Sequence, residues 1–71
     1  MEDQDKLDRL SPRERKVLAL LGRGWSNVQI GRELTISPHT ARINVENILV
    51  KLEVDSRLAA ATFAKQHELD L

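Results

Sequence analysis

The side chains best suited to recognition chemistry lie in one stretch, residues 37–52, which reads SPHTARINVENILVKL. Apolar residues recur there at steps of three and four, which predicts a helix with one buried stripe: Ala41, Val45, Ile48, Leu49 and Leu52. The opposite face carries cations, hydrogen-bonding groups and branched aliphatic side chains: His39, Thr40, Arg42, Ile43, Glu46, Asn47, Val50 and Lys51. A helix that presents such side chains just after a short turn fits the major groove of DNA.

A first helix is predicted over residues 11–23, ahead of this stretch. Ser11 as N-cap, Pro12 at the first helical position and Glu14 three residues after the cap are the signals of a capping box. The buried face of this helix is formed by four aliphatic residues: Val17, Leu18, Leu20 and Leu21. Two glycines end the helix: Gly22 and Gly24.

The same start signals predict the next two helices. Ser26 with Gln29 opens a short helix over residues 27–34. Ser37, followed by proline, opens the third helix over residues 38–52. A short helix, a three-residue turn and a long helix form the spacing of a helix-turn-helix motif.

The remaining segments complete an all-α chain. A fourth helix is predicted over residues 57–67, capped by Asp55 or Ser56. Residues 1–9 are acidic and have no periodic apolar face, so they are expected to be a flexible arm or a linker remnant. The folded domain is then expected to span residues 10–71.

Composition excludes several classes of protein. The chain has 71 residues and no cysteine, so it can form neither a disulfide nor a thiolate metal site, and no cofactor is expected. No apolar run approaches the roughly 20 residues that span a bilayer, so we expect a cytoplasmic protein without a membrane partner. There is no glycine-rich phosphate loop or paired-carboxylate pocket, so an enzyme is not expected.

The formal net charge is zero, which by itself does not favour a nucleic-acid partner. The charges are unevenly distributed, however: residues 1–9 carry −2, residues 10–57 carry +3 and residues 58–71 carry −1. A mildly basic middle between acidic ends is compatible with DNA binding without requiring it.

Several linked motifs occur at fixed spacings along residues 10–64. They are SPRER at the first predicted helix, GWSN before the second, ISPHT at the turn, NILVKL at the end of the third and VDSR before the fourth. In these motifs the chain resembles the LuxR-type (GerE-like) helix-turn-helix domain of bacterial transcription regulators. The resemblance implies a four-helix domain that binds double-stranded DNA with its third helix in the major groove, forms a homodimer through its fourth helix and has RNA polymerase as a further candidate partner.

The resemblance also assigns roles by position. Implied base contacts come from Arg42, Ile43, Glu46 and Asn47. Implied phosphate contacts come from Ser26, Asn27, Ser37, His39, Thr40 and Lys51. The implied dimer interface consists of Leu58, Ala61, Thr62 and Lys65. The chemistry agrees, because arginine can donate two hydrogen bonds to guanine and isoleucine can pack on a thymine methyl group.

The chain departs from the usual family pattern at seven positions: Val28, Arg42 and Glu46 where lysine is common, Gly31 for alanine, Ala41 for valine, Asn44 for histidine and Glu53 for glycine. Val28 removes an expected phosphate contact, whereas Glu46 can accept a hydrogen bond from cytosine N4. Gly31 is expected to weaken its helix by up to about 1 kcal/mol relative to alanine. These departures concern affinity and sequence preference more than fold.

Several of the assigned residues also have a purely structural interpretation. Arg42 and Lys51 can be solvated surface cations, Glu46 can pair with Arg42 at the i, i+4 spacing, and Thr40 can serve only the helix cap. Arg57 and Glu14 are predicted to stabilise the domain, as a pair or separately, rather than to act on DNA. Trp25 is predicted to pack over the corner between the first two helices. Two other functions remain open, a protein-binding module without DNA affinity and a sigma-factor region 4 module, which shares the SPRER opening.

Overall fold

The structure is a computed structural model and describes residues 2–67. Within that range it contains five helices and no strand: α1 (Glu2–Asp8), α2 (Pro12–Gly22), α3 (Asn27–Leu34), α4 (Pro38–Leu52) and α5 (Arg57–Gln66). The all-α prediction is confirmed, and the four predicted helices correspond to α2–α5 within one residue at each end. Met1 of the predicted arm and residues 68–71 of the predicted domain lie outside the described residues.

The largest difference from expectation is α1, because residues 1–9 are predicted to be a flexible arm or linker remnant. Their described part forms a helix, and Leu7 and the following Leu10 are buried in the core. Arg15 Nη2 donates a hydrogen bond to Leu7 O at 3.1 Å, which fixes the end of the helix. A two-turn helix with one apolar residue has no periodic apolar face, so its stability comes from these tertiary contacts. The sequence therefore contains no pattern that predicts this helix.

Side-chain caps determine where the other helices begin. Ser11 Oγ accepts a hydrogen bond from Glu14 N–H, and the Glu14 carboxylate accepts one from Ser11 N–H, so the predicted capping box is present. Ser26 and Gln29 form the same box at the start of α3. Single serines cap the last two helices: Ser37 at α4 and Ser56 at α5.

The core forms where α2 packs against α4 and α5 and where α4 packs against α3. Its largest fully buried side chains are Val17, Leu18, Leu20, Leu21, Ile30, Ile48 and Leu52. Because α4 contributes one face to this core, its other face is left to solvent. No helix of the described residues is both long enough and apolar enough to cross a membrane.

The turn between α3 and α4 depends on a close backbone approach. Thr35 ends α3 in a left-handed conformation, with φ 58°. A methyl group added to Gly31 would lie 2.6 Å from Ile36 O, so alanine cannot enter without a backbone shift. The expectation that Gly31 simply weakens its helix is therefore incomplete, because in this backbone the missing side chain permits the tight turn.

The C-terminal end of α4 is held by the segment that follows α1. Glu53 caps α4 in a left-handed conformation, with φ 58°, which explains why glycine suits this position. Arg9 Nη1 forms an ion pair with Glu53 Oε2 at 2.8 Å and donates to Lys51 O at 3.3 Å. The hydrogen bond from Arg9 and nearby positive charge hold the pKa of Glu53 below its ordinary value. A cation at this helix end also interacts favourably with the helix dipole.

Candidate nucleic-acid interface

The four residues predicted to contact bases share the solvent-facing side of α4: Arg42, Ile43, Glu46 and Asn47. The opposite side of the helix is buried through Ala41, Val45, Ile48 and Leu52. Ile43 is 40% exposed, although it is a large aliphatic residue between polar neighbours. This face therefore offers donors, acceptors and an apolar group from one rigid element, which is the combination that base edges in the major groove require.

The alternative that Glu46 serves to pair with Arg42 is not supported. Among residues 2–67, no ion pair joins these two side chains, although both are exposed and lie one turn apart. Neither side chain forms an ion pair with any other of the described residues, so both charges face solvent.

The N-terminus of α4 brings together three of the predicted phosphate contacts, all exposed: Ser37, His39 and Thr40. Ser37 Oγ accepts a hydrogen bond from Thr40 N–H and donates one to Thr40 Oγ1, both at 3.0 Å. The hydroxyl hydrogen of Thr40 is therefore still available to a second acceptor. Thr40 completes the cap and keeps a donor, so its structural and its DNA-contacting interpretations are compatible.

The N-terminus of α3 carries the next two candidates. Exposed Ser26 forms the capping box, and half-buried Asn27 is the first helical residue. Arg57, the first residue of α5, donates from Nη1 to Asn27 Oδ1 and from Nη2 to Trp25 O, both at 2.6 Å. The predicted pair between Arg57 and Glu14 is wrong, because the guanidinium is bound to this corner instead.

Glu14 is paired with Lys51, the last predicted phosphate contact. Lys51 Nζ lies 2.7 Å from Glu14 Oε1, with side chains 39% and 9% exposed. Burial raises the pKa of the Glu14 carboxyl, but the hydrogen bonds from Lys51 and Ser11 and the charge of Lys51 outweigh burial and hold the pKa below 4.5. An ammonium group has three donors, so Lys51 can keep this bond and still reach a phosphate.

Comparison with known proteins decides the family. Residues 8–64 match the family described as bacterial regulatory proteins, luxR family. The chain belongs to the LuxR family. The match extends through the VDSRLAAATFA segment, and the family shown is the luxR family rather than a sigma-factor region 4 module.

Three similar relatives are regulators. The chain is 40% identical over 68 residues to the uncharacterized transcriptional regulatory protein YhcZ of Bacillus subtilis, covering 96% of this chain and 32% of the relative. It is 35% identical over 63 residues to the nitrate/nitrite response regulator protein NarL of Escherichia coli, covering 89% and 29%. It is 42% identical over 60 residues to the response regulator protein VraR of Staphylococcus aureus, covering 84% and 29%.

The chain thus spans about three tenths of the length of these relatives. Membership in the LuxR family, together with transcriptional regulators as relatives, supports DNA binding for transcription regulation as the class of function. The family is one of regulatory proteins rather than of enzymes.

The predicted dimer residues of this LuxR-family domain form a stripe on α5 at steps of three and four. Leu58 is 77% exposed, Thr62 and Lys65 are exposed, and Ala61 is half-buried. The other side of α5 is buried through Ala60, Phe63 and Ala64. The helix therefore has a core face and a separate outer face with an exposed leucine.

Two details of the site have no counterpart in the sequence pattern. Asn44 is half-buried, and its Nδ2 atom is buried without a hydrogen-bond partner among the described residues. It lies outside the exposed face, and an unpaired buried donor lowers stability by about 1–3 kcal/mol. The anchoring of Asn27 by Arg57 was also not foreseeable, because 30 residues separate the two.

Proposed function

We propose that this LuxR-family chain binds double-stranded DNA with sequence preference, as a homodimer with α4 in the major groove. The main support for this proposal is the exposed face of α4, which carries Arg42, Ile43, Glu46 and Asn47 on a helix whose other face is buried. Binding of this kind places the protein with the chromosome, in the cytoplasm, where a promoter-bound regulator also meets RNA polymerase.

The base contacts follow from side-chain chemistry. Arg42 donates two hydrogen bonds to a guanine, Ile43 packs on a thymine methyl group and Glu46 accepts from cytosine N4. Asn47 pairs with adenine or holds a phosphate at the edge of the site. Because Glu46 repels phosphates, its presence favours discrimination between bases over general affinity.

The phosphate contacts surround this face. At the helix starts they come from Ser26 and Asn27 on one side and from Ser37, His39 and Thr40 on the other, where helix N-termini favour anions. Lys51 provides a cationic contact near the other end of α4. These contacts carry no base information and fix the position of the helix on the duplex.

A second copy of the chain is expected against the outer face of α5. Leu58, Ala61, Thr62 and Lys65 form a self-complementary stripe that suits a two-fold interface. Two copies of α4 then read half-sites about one helical turn apart, so the target is a pseudo-palindrome.

Selection from a library of random duplexes, run at low and moderate salt, tests the proposal. We expect an enriched pseudo-palindromic sequence and an affinity that falls steeply with salt, because phosphate contacts release counterions. If single half-sites are enriched and no dimer is found in solution, the proposed homodimer is rejected but the proposed DNA binding stands.

A protein-binding module is the second candidate, favoured by the zero net charge and by Val28, which is 47% exposed on α3. The absence of any salt-sensitive duplex binding would reject the DNA-binding proposal in favour of this candidate.

A further inference from the structure

Arg57 lies where helix electrostatics disfavour a cation. It is the first residue of α5, close to the positive end of that helix dipole. Its guanidinium also reaches the N-terminus of α3 through Asn27 Oδ1 and the preceding corner through Trp25 O. A cation held between two helix N-termini interacts unfavourably with both helix dipoles. A residue that breaks a local rule in this way is often kept for a function.

The contact with Arg57 determines which way the Asn27 amide is turned. A guanidinium group only donates hydrogen bonds, so the atom facing it must be the amide oxygen, Oδ1. The amide nitrogen, Nδ2, is then at the other end of the group. Within residues 2–67 no acceptor binds this nitrogen, and it is not among the buried atoms that lack a partner. Asn27 therefore presents a donor to solvent at the start of α3.

We propose that Arg57 is a positioning residue for DNA binding, which orients the Asn27 amide so that Nδ2 donates to a backbone phosphate. The inference rests on the proposed DNA-binding function and adds a link from α5, the proposed dimer helix, to a phosphate contact on α3. Both acceptors of Arg57 flank the Ser26 cap, so the guanidinium also fixes the corner from which the contact is made.

The substitution Asn27→Asp separates this role from a structural one. An aspartate keeps an oxygen for Arg57, so the thermal midpoint should be unchanged or higher, but it replaces the donor with a second acceptor. We expect affinity for the selected duplex to fall at least about tenfold. The matched control is Gln29→Glu, which adds the same charge two residues away and keeps the capping box, as Glu14 does in α2. Equal affinities of the two folded variants would overturn the proposal.

A double-mutant cycle then tests Arg57 itself. Arg57→Lys keeps the charge but not the two-pronged geometry, so it frees the amide to rotate. Asn27→Ala should weaken duplex binding about tenfold in the wild-type background and clearly less in the Arg57→Lys background. Equal losses in both backgrounds contradict positioning by Arg57.

Fluorescence anisotropy with the selected duplex and with a duplex of unrelated sequence reports both affinities. A phosphate contact predicts equal losses on the two duplexes, whereas a loss confined to the selected duplex overturns the phosphate assignment. If Asn27→Asp and Asn27→Ala bind as wild type while Arg42→Ala does not, this inference fails and the proposed function stands. If the wild type shows no salt-sensitive binding to either duplex, the proposed function itself fails.

Discussion

The two faces of α4 share one helix and one residue spacing, yet their physical demands are opposite. On the buried face, Ile48 and Leu52 are fully buried, and any change in side-chain volume is felt by the core. On the exposed face, Arg42 and Glu46 form no ion pair among residues 2–67, so their charges contribute little to folding. Stability and DNA recognition can therefore be altered independently within one helix.

The largest effect is expected on the buried face. Ile48→Ala should lower the free energy of unfolding by about 2–5 kcal/mol, because it removes buried methylene groups and leaves a cavity. Chemical denaturation measures this loss. Val50 is 76% exposed on the same helix, so Val50→Ala serves as the control and should change stability by no more than about 0.5 kcal/mol. Similar losses for both variants would refute the division into two faces.

The next effect is expected on the exposed face. Arg42→Ala should weaken binding to the selected duplex by about 1–3 kcal/mol and relax the preference at one base position, with the thermal midpoint unchanged. Repeated selection with the variant measures both. Arg32→Ala, which removes an exposed cation from α3, is the control. Equal weakening on all sequences would show that Arg42 contacts only phosphate.

Lys51 lies at the boundary between the two faces and combines a structural contact with a predicted phosphate contact. Lys51→Ala should weaken binding to every duplex alike and reduce the slope of log affinity against log salt by about 1. Titrations at several salt concentrations give the slope. Lys16→Ala removes an exposed lysine from α2 and should leave the slope close to that of the wild type. An unchanged slope in Lys51→Ala would place this lysine away from the DNA.

The smallest effect concerns Glu14, the buried partner of Lys51. Its pKa is lower in the folded chain than its ordinary value of 4.5, so its ionised form contributes stability at neutral pH, and that contribution is lost as the pH falls below about 4.5 through the folded pKa. Glu14→Gln keeps the capping box but removes the charge, and should cost up to about 1 kcal/mol at neutral pH.

Thermal unfolding between neutral and acidic pH measures this contribution. The difference in midpoint between wild type and Glu14→Gln should shrink as the pH falls, whereas Glu33→Gln, which removes an exposed carboxylate of α3, should show no such convergence. A constant difference at all pH values would mean that the ion pair with Lys51 does not stabilise the fold.

Local signals were enough to predict α2–α5. Helix starts are predicted by the N-cap residues Ser11, Ser26 and Ser37, whose side chains accept hydrogen bonds from the first turn of each helix. The spacing of apolar residues predicts the core face of α4. The candidate site was predictable to the same extent, since residues opposite a buried stripe must face solvent. Arg42, Ile43, Glu46 and Asn47 are therefore exposed as expected.

Contacts between distant residues were not predictable. Lys51 pairs with Glu14 across 37 positions, and Arg57 binds Asn27 across 30, whereas the sequence suggests Glu14 as a partner for Arg57. Charge type limits which residues can pair, but several cations and acceptors satisfy that limit equally well. Only the packing of α2 against α4 and α5 selects among them.

Residue order alone was enough to predict the helical class, the caps of α2, α3 and α4 and the polar character of one face of α4, because these depend on residues within a turn or two of each other. Tertiary packing, in contrast, is required for residues 2–8 to form α1, for Gly31 to permit a close backbone approach and for Arg57 to fix the Asn27 amide. These features depend on atoms that the fold brings together from distant positions, and no local periodicity encodes such distances.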